Sequence, residues 1–288
     1  MKPSIASATL IGGTAVIMWS TLALLTVGSG DVPPFQLVAM AFSIATLIGV
    51  GLWTRQDHPW TDNLRLPWPV WVNGVVGLFG YHFFYFLALD HAPAVEANLI
   101  NYLWPLLIVL FSALLPGERL RWFHVAGVLL GMMGAVLLIL PGGRLDLDLR
   151  YVGGYGAAAV AALLWAGYSV ISRRFGMIPT QSVGGFCGVT AILATLAHLA
   201  FETTVWPTGW GWLAVLGLGL GPVGAAFFTW DVGMKHGNIR ALGAMAYATP
   251  LLSTLLLIGF GLAQPTWAVW AACGLIVGGA VMAAGDLF

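Results

Sequence analysis

Ten long apolar stretches follow one another along the chain, separated by short breaks rich in polar residues, Pro or Gly. They run at about 5–28, 34–53, 69–89, 94–115, 122–141, 153–172, 181–201, 210–233, 239–262 and 266–286. Each approaches the roughly 20 apolar residues that an α-helix needs to cross about 30 Å of hydrocarbon. Strands of an outer-membrane barrel alternate lipid-facing and lumen-facing positions over about ten residues. These runs are longer and continuous, so the pattern predicts helices. The first follows Lys2 and could pass for a signal peptide, but no small-residue cleavage site ends it and its length favours a retained span. The expected fold is an all-α integral membrane protein with ten transmembrane helices.

Composition agrees. Of 288 residues, 59% are hydrophobic and 8% charged, with a mean hydropathy of +0.91; a soluble domain carries about 25% charge. The net charge is zero, so no basic field exists to hold nucleic acid. Cys187 and Cys273 lie inside apolar stretches, too few for a disulfide scaffold or a zinc site, and neither a cofactor nor a metal is expected. With the N-terminus inside, Lys2, Arg55, Arg65, Arg119, Arg121, Arg173, Arg174, Lys235 and Arg240 all fall in inner segments, and only Arg144 and Arg150 fall outside. Basic loops prefer the cytoplasm, so both termini are expected there, in a multi-pass protein of the cell inner (plasma) membrane.

Tryptophans mark the same boundaries. Trp53, Trp60, Trp68, Trp71, Trp122, Trp206, Trp210, Trp212, Trp267 and Trp270 sit at span ends, where amphipathic rings anchor among headgroups. Trp19, Trp104 and Trp165 lie mid-span and Trp230 about a turn inside, so another reason must hold them there.

The chain reads as two copies of five spans, 1–143 and 144–288. Phe83-Phe84 and Phe227-Phe228 are 144 residues apart, Pro105 and Pro250 145, Trp19 and Trp165 146. Five is odd, so the second copy is expected upside down, the inverted-repeat build recurrent in secondary transporters. Gly127, Gly131 and Gly134 in the fifth span match Gly274, Gly278 and Gly279 in the tenth; such faces let helices approach closely, for scaffold packing or for dimerisation. Gly217, Gly219 and Gly221 with Pro222 resemble a nucleotide loop only superficially, because they lie in an apolar span with no strand before them.

Polar groups in hydrocarbon are costly and usually face a cavity or a partner helix. Asn98, Asn101, Tyr102 and Pro105 share one helical face, as do Trp165, Tyr168, Ser169 and Ser172. His82 and Tyr85 share another, Tyr247 precedes Pro250 by a turn, and Trp19 is mid-span. Pro105 is expected to free the Asn101 carbonyl. Five helices contributing polar and aromatic stripes suggest a central cavity for a solute with an apolar body and a polar end; for each residue singly, plain interhelical hydrogen bonding is an equal reading. No Lys or Arg lies deep in a span, which disfavours phosphate substrates. Glu96 and Asp231 are near span ends, Asp231 four residues before a possible partner in Lys235, and solvation accounts for both. His124 and His198 look interfacial.

The segment Glu96-Ala-Asn-Leu-Ile-Asn-Tyr-Leu-Trp-Pro105, followed by Pro116-Gly-Glu118-Arg119, resembles the drug/metabolite transporter superfamily of EamA type over essentially the whole chain. Asn98-Leu-Ile-Asn-Tyr-Leu-Trp-Pro105, Trp230-Asp231 with Gly237-Asn238, and Tyr247-Ala-Thr-Pro250 make it most similar to that superfamily's aromatic amino acid exporters, from whose pattern it departs in having Asp rather than Asn after Trp230. The resemblance implies export of aromatic and other neutral amino acids by alternating access through a central cavity. Substrate would be bound by Trp19, His82, Tyr85, Asn98, Asn101, Tyr102, Trp165, Tyr168 and Tyr247, with Pro105 and Pro250 as conformational hinges. Expected partners are small-molecule amino acids and the lipid bilayer, the chain acting as a monomer, with its oligomeric state open. An exporter of aromatic cations is the alternative, since indole faces attract them. An intramembrane enzyme using His82 with Asp231 or Glu96 is remote, without a His-Glu-x-x-His or Gly-x-Ser-x-Gly motif.

Overall fold

The structure, a computed structural model, describes residues 3–57, 59–117, 119–140, 148–261, 264–283 and 285. Lys2, Glu118, Arg144 and the expected boundary at 143/144 lie outside them. Among the described residues there is no strand, and nine helices are long and apolar enough to cross a membrane. In chain order they are α1 (Ile5–Gly28), α2 (Pro34–Trp53), α3 (Trp68–His91), α4 (Ala94–Ser112), α5 (Trp122–Ile139), α6 (Leu149–Phe175), α7 (Thr180–Phe201), α8 (Gly211–His236) and α9 (Ile239–Gly259). A tenth apolar helix, α10 (Trp267–Ala283), is shorter.

Local chemistry sets the ends. Ser4 caps α1 through its hydroxyl, which accepts from the Ser7 amide at 3.2 Å. Pro34 opens α2, where a missing donor costs nothing. The first two amides of α2, Phe35 and Gln36, donate to the Glu202 carboxylate at the end of α7, at 2.8 and 3.0 Å, so a negative charge sits on the positive pole of α2.

Helices pack in four main pairs: α5 with α10, α2 with α7, α1 with α8, and α3 with α6. Close approach depends on glycine. A Cβ on Gly49 of α2 would fall 2.5 Å from the Gly184 Cα of α7, and one on Gly127 of α5 would fall 2.5 Å from the Gly279 carbonyl oxygen of α10. Lipid provides no hydrophobic drive between helices, so such backbone contact supplies the dispersion that holds them. Gly131 and Gly134 are used the same way, against Tyr247 and Ile276, whereas Gly274 and Gly278 face open space. The glycine face of the fifth span thus serves contacts within the chain.

Five spans are interrupted, α1 only by a single turn residue, Thr21. α3 and α8 each pass through a π-helical turn, at Val76–Gly80 and Gly221–Ala225. α4 breaks at Tyr102 and Leu103, and α9 at Ala246 and Tyr247. The face expected to run regularly from Asn98 to Pro105 is therefore divided, with Pro105 in the first turn of the second half-helix, where it displaces no hydrogen bond. The carbonyl that gains an interhelical partner is that of Tyr102, not Asn101: the Tyr247 hydroxyl donates to it at 3.1 Å, tying the two breaks together.

Several groups expected at the interface are buried. Trp53 is packed inside and its indole donates to the Gln181 carbonyl at 2.8 Å. His124 is buried beneath the α5 N-terminus, where its Nδ1 accepts from the Arg121 amide at 3.0 Å. His198 is buried between the Glu202 carboxylate and the Thr204 hydroxyl, each 2.9 Å away. Depth along one helix does not report such burial: Trp53 is held by α7, and the two histidines by groups close to them in the chain. Gly127→Leu should force α5 from α10 and lower stability by about 1–3 kcal/mol, whereas Gly278→Leu should be nearly neutral; thermal unfolding of the purified protein in detergent compares the two.

Candidate functional site

The four tryptophans that lie away from span ends meet at one point. Trp19 of α1, Trp104 of α4, Trp165 of α6 and Trp230 of α8 form a cluster in which every pair of rings is in contact. Centroid distances run from 4.9 Å for Trp19–Trp230 to 6.4 Å for Trp165–Trp230. Most pairs meet edge to face, which sets the positive edge of one ring against the negative face of the next and adds about 0.5–1.5 kcal/mol per pair beyond burial. Two indole N–H groups are satisfied across helices. Trp19 Nε1 donates to the Pro222 carbonyl in the π-helical turn of α8 at 3.0 Å, and Trp230 Nε1 donates to the Ser169 hydroxyl of α6 at 3.0 Å.

A second layer of aromatic and polar groups leads away from this cluster along α3 and α4. Tyr81 packs on Trp165 at 5.4 Å and stacks on Tyr85 at 5.9 Å. The Tyr85 hydroxyl donates to Asn98 Oδ1 at 2.6 Å, and Asn101 Nδ2 donates to the Tyr81 hydroxyl at 3.3 Å. His82 contacts Tyr81 and Phe42, with its Nδ1 2.7 Å from the Leu78 carbonyl. Asn101 Oδ1 is buried and has no partner among the described residues, an uncommon state for a buried amide oxygen and one that a ligand donor can relieve.

Of the residues expected to bind substrate, Trp19, His82, Tyr85, Asn98, Asn101, Trp165 and Tyr168 belong to this connected group; Tyr168 touches Trp165 at 5.4 Å. Tyr102 is half-buried at the break in α4. Tyr247 stands apart: it is fully buried, with its ring against Gly131 of α5 and its hydroxyl on the Tyr102 carbonyl. Trp104, Trp230, Tyr81 and Phe227 also belong to the cluster, though none is among the residues expected to bind substrate. The first two carried a usable signal, being tryptophans away from the interface, and Phe227 is half of the repeated Phe-Phe pair.

Burial is uneven about the cluster. The half-helix Tyr81–His91 of α3 has one buried residue, Ala88. At the matching position of α8, eight of the eleven residues of Ala226–His236 are buried. The buried set includes Asp231, 3% exposed, and Lys235, 8% exposed. The two pair at 2.7 Å, and the solvated helix end expected there is a packed ion pair.

A helical bundle whose interrupted spans cross at a mid-span cluster of rings and amides has the construction of a membrane transporter. The profile described as the EamA-like transporter family matches residues 6–140 and again 152–285, and the chain belongs to that family. It is a multi-pass protein of the inner membrane. It is 56% identical over 96% of its length to the aromatic amino acid exporter YddG of Ancylobacter novellus, covering 96% of that protein. It is 28% identical to the aromatic amino acid exporter YddG of Escherichia coli, covering 96% of each chain. One solved crystal structure, 56% identical and covering 97% of both chains, matches with a TM-score of 0.94.

Ser169→Ala leaves the buried Trp230 N–H without its acceptor. It should lower stability by about 1–3 kcal/mol and alter the near-ultraviolet circular dichroism of the indole cluster, whereas Ser7→Ala, at a half-buried site in the first turn of α1, should do neither.

Proposed function

We propose that the protein exports aromatic and other neutral amino acids by alternating access, with the indole cluster as the floor of the binding site. The observation that carries this reading is the convergence of Trp19, Trp104, Trp165 and Trp230 from four different helices, beside half-buried phenols on α3 and α4, the half-buried Asn98 and the buried Asn101. Indole faces and edges receive the apolar side chain of the solute. Tyr85, Asn98, Asn101, Tyr102 and His82 receive its amino and carboxylate groups through uncharged donors and acceptors, which suits a zwitterion with no net charge. Tyr168 supports Trp165 from below, and Tyr247 holds the crossing of α4 and α9. The relatives named aromatic amino acid exporters support the same substrate class.

The two matched segments and the paired interruptions support reading 1–143 and 144–288 as two five-helix repeats. The π-helical turns at Val76–Gly80 and Gly221–Ala225 are separated by 145 residues, and the breaks after Asn101 and Met245 by 144. Inversion of the second repeat follows from the odd number of helices in each. Arg55, Arg65, Arg119, Arg121, Arg173, Arg174, Lys235 and Arg240 gather at one end of the bundle, and among the described residues only Arg150 is a Lys or Arg at the other. The positive-inside rule then puts the basic end and both termini in the cytoplasm. Pro105 and Pro250 lie within a turn of the breaks in α4 and α9, where a bend breaks few hydrogen bonds, and they serve as hinges. An exporter of aromatic cations would need an anion facing the rings; the nearby Asp231 is already paired with Lys235.

Protein reconstituted in liposomes should move labelled phenylalanine faster than empty liposomes do. Trp165→Ala and Asn101→Ala should each slow it about tenfold, the equivalent of one good aromatic contact or hydrogen bond. Flux no faster than in empty liposomes, or full activity in the double variant, rules the reading out.

A further inference from the structure

We infer that the half-helix Ala226–His236 of α8 is a gate arm, hinged at the π-helical turn Gly221–Ala225 and held shut by a clasp centred on Asp231 and Lys235. The inference rests on the alternating-access reading above and adds to it the device that keeps one side closed.

The clasp joins three segments. Asp231 Oδ2 is 2.7 Å from Lys235 Nζ and accepts from the Thr180 hydroxyl at the start of α7 at 2.6 Å. Lys235 Nζ also donates to the Ile178 carbonyl in the turn between α6 and α7, at 3.0 Å. From the end of α6, the Arg173 guanidinium donates to the Gly237 and Met234 carbonyls at 2.5 and 3.3 Å. The turn between α6 and α7 is thereby buttoned onto the far end of the arm. Asn238, just beyond, donates its amide to the Thr9 hydroxyl of α1 at 2.8 Å, so the closed end also includes the first helix.

A buried ion pair is a poor source of net stability, because desolvating both charges offsets most of their attraction. It is well suited to a two-position element. Closed, the pair satisfies itself; opened, water solvates both charges, and the two states lie close in free energy. An open groove on the bundle surface runs beside the arm between Ile11, Leu52, Thr180 and Phe228. The hinge is chemically weak for a helix, because Pro222 has no amide donor and glycines stand at 221 and 224; π-helical turns of this kind mark functional positions within helices. The matching half-helix of α3 is not clasped in this way. Its Asp90 and His91, 3.4 Å apart, are both exposed, in keeping with the half-open burial of Tyr81–His91.

Cysteine accessibility tests the arm without any amino acid present, so the result does not depend on which solute is carried. In a background with Cys187 and Cys273 replaced by alanine, Met234→Cys reports the closed end and Glu96→Cys reports the opposite side, each labelled in oriented vesicles by a membrane-impermeant maleimide. Thr180→Val removes one charge-assisted hydrogen bond from Asp231, a mild change that leaves packing intact. It should speed labelling at position 234 about tenfold, the two-state ratio one such bond controls, and slow labelling at position 96. Lys235→Met should do the same more strongly, and Lys235→Arg should restore the original rates. Unchanged labelling at 234 overturns the proposal. So does faster labelling at both positions, which would make the pair a structural pin whose loss loosens the whole fold.

Discussion

Backbone hydrogen bonding is the constraint on which this molecule depends. In hydrocarbon an unpaired amide or carbonyl has no water to turn to, so a spanning helix departs from α geometry only where the protein supplies a substitute. The departures in α3, α4, α8 and α9 all face other helices, and for two of them the substitute is visible. The Tyr247 hydroxyl serves the Tyr102 carbonyl and the Trp19 indole serves the Pro222 carbonyl. Each substitute is an aromatic residue with one polar atom, able to fill an apolar space and still donate at its edge. The irregular centre and its aromatic filling thus require one another.

Much of this was legible in the chain. The spans are long apolar runs, and their observed ends fall within a few residues of the expected ones. Sorting tryptophans by distance from span ends separates interfacial anchors from the four that gather at the centre. That they touch one another was not legible, because it depends on how α1, α4, α6 and α8 cross, and no residue spacing encodes a crossing. The π-helical turns were missed for a related reason. Gly221-Pro222 is an obvious weak point, but a helix can answer such a point by kinking, by breaking or by widening, and neighbours decide which. In α4 the spacing places Pro105 on one regular face with Asn98 and Asn101 and has it free the Asn101 carbonyl; the chain instead breaks at Tyr102 and Leu103 and begins a fresh helix at Trp104.

Burial was misjudged where depth along a single span stood in for packing. Asp231, Lys235, His124 and His198 all lie near helix ends, where solvent is the ordinary expectation. All four are buried with a partner in place, which for Asp231 and Lys235 comes from the turn between α6 and α7 and the start of α7, and for the two histidines from nearby in the chain. At both ends of the bundle, charge has been recruited to join segments distant in sequence: Glu202 to the start of α2, and Asp231 with Lys235 to the start of α7. The first connection sits on helices whose glycines bring backbone to backbone. The second sits on a helix with a widened turn in its middle, and this difference in surroundings separates a fixed strut from a movable one.

The hydrogen bond from Trp19 to Pro222 has a thermodynamic corollary. One ring belongs both to the surface a solute would press against and to the carbonyl that stabilises the widened turn of α8. A solute that pushes the indole aside withdraws a donor from the turn, and a turn that relaxes to regular helix withdraws an acceptor from the indole. Such coupling is reciprocal by necessity: whatever filling the pocket does to the bend, bending does to affinity, by the same factor.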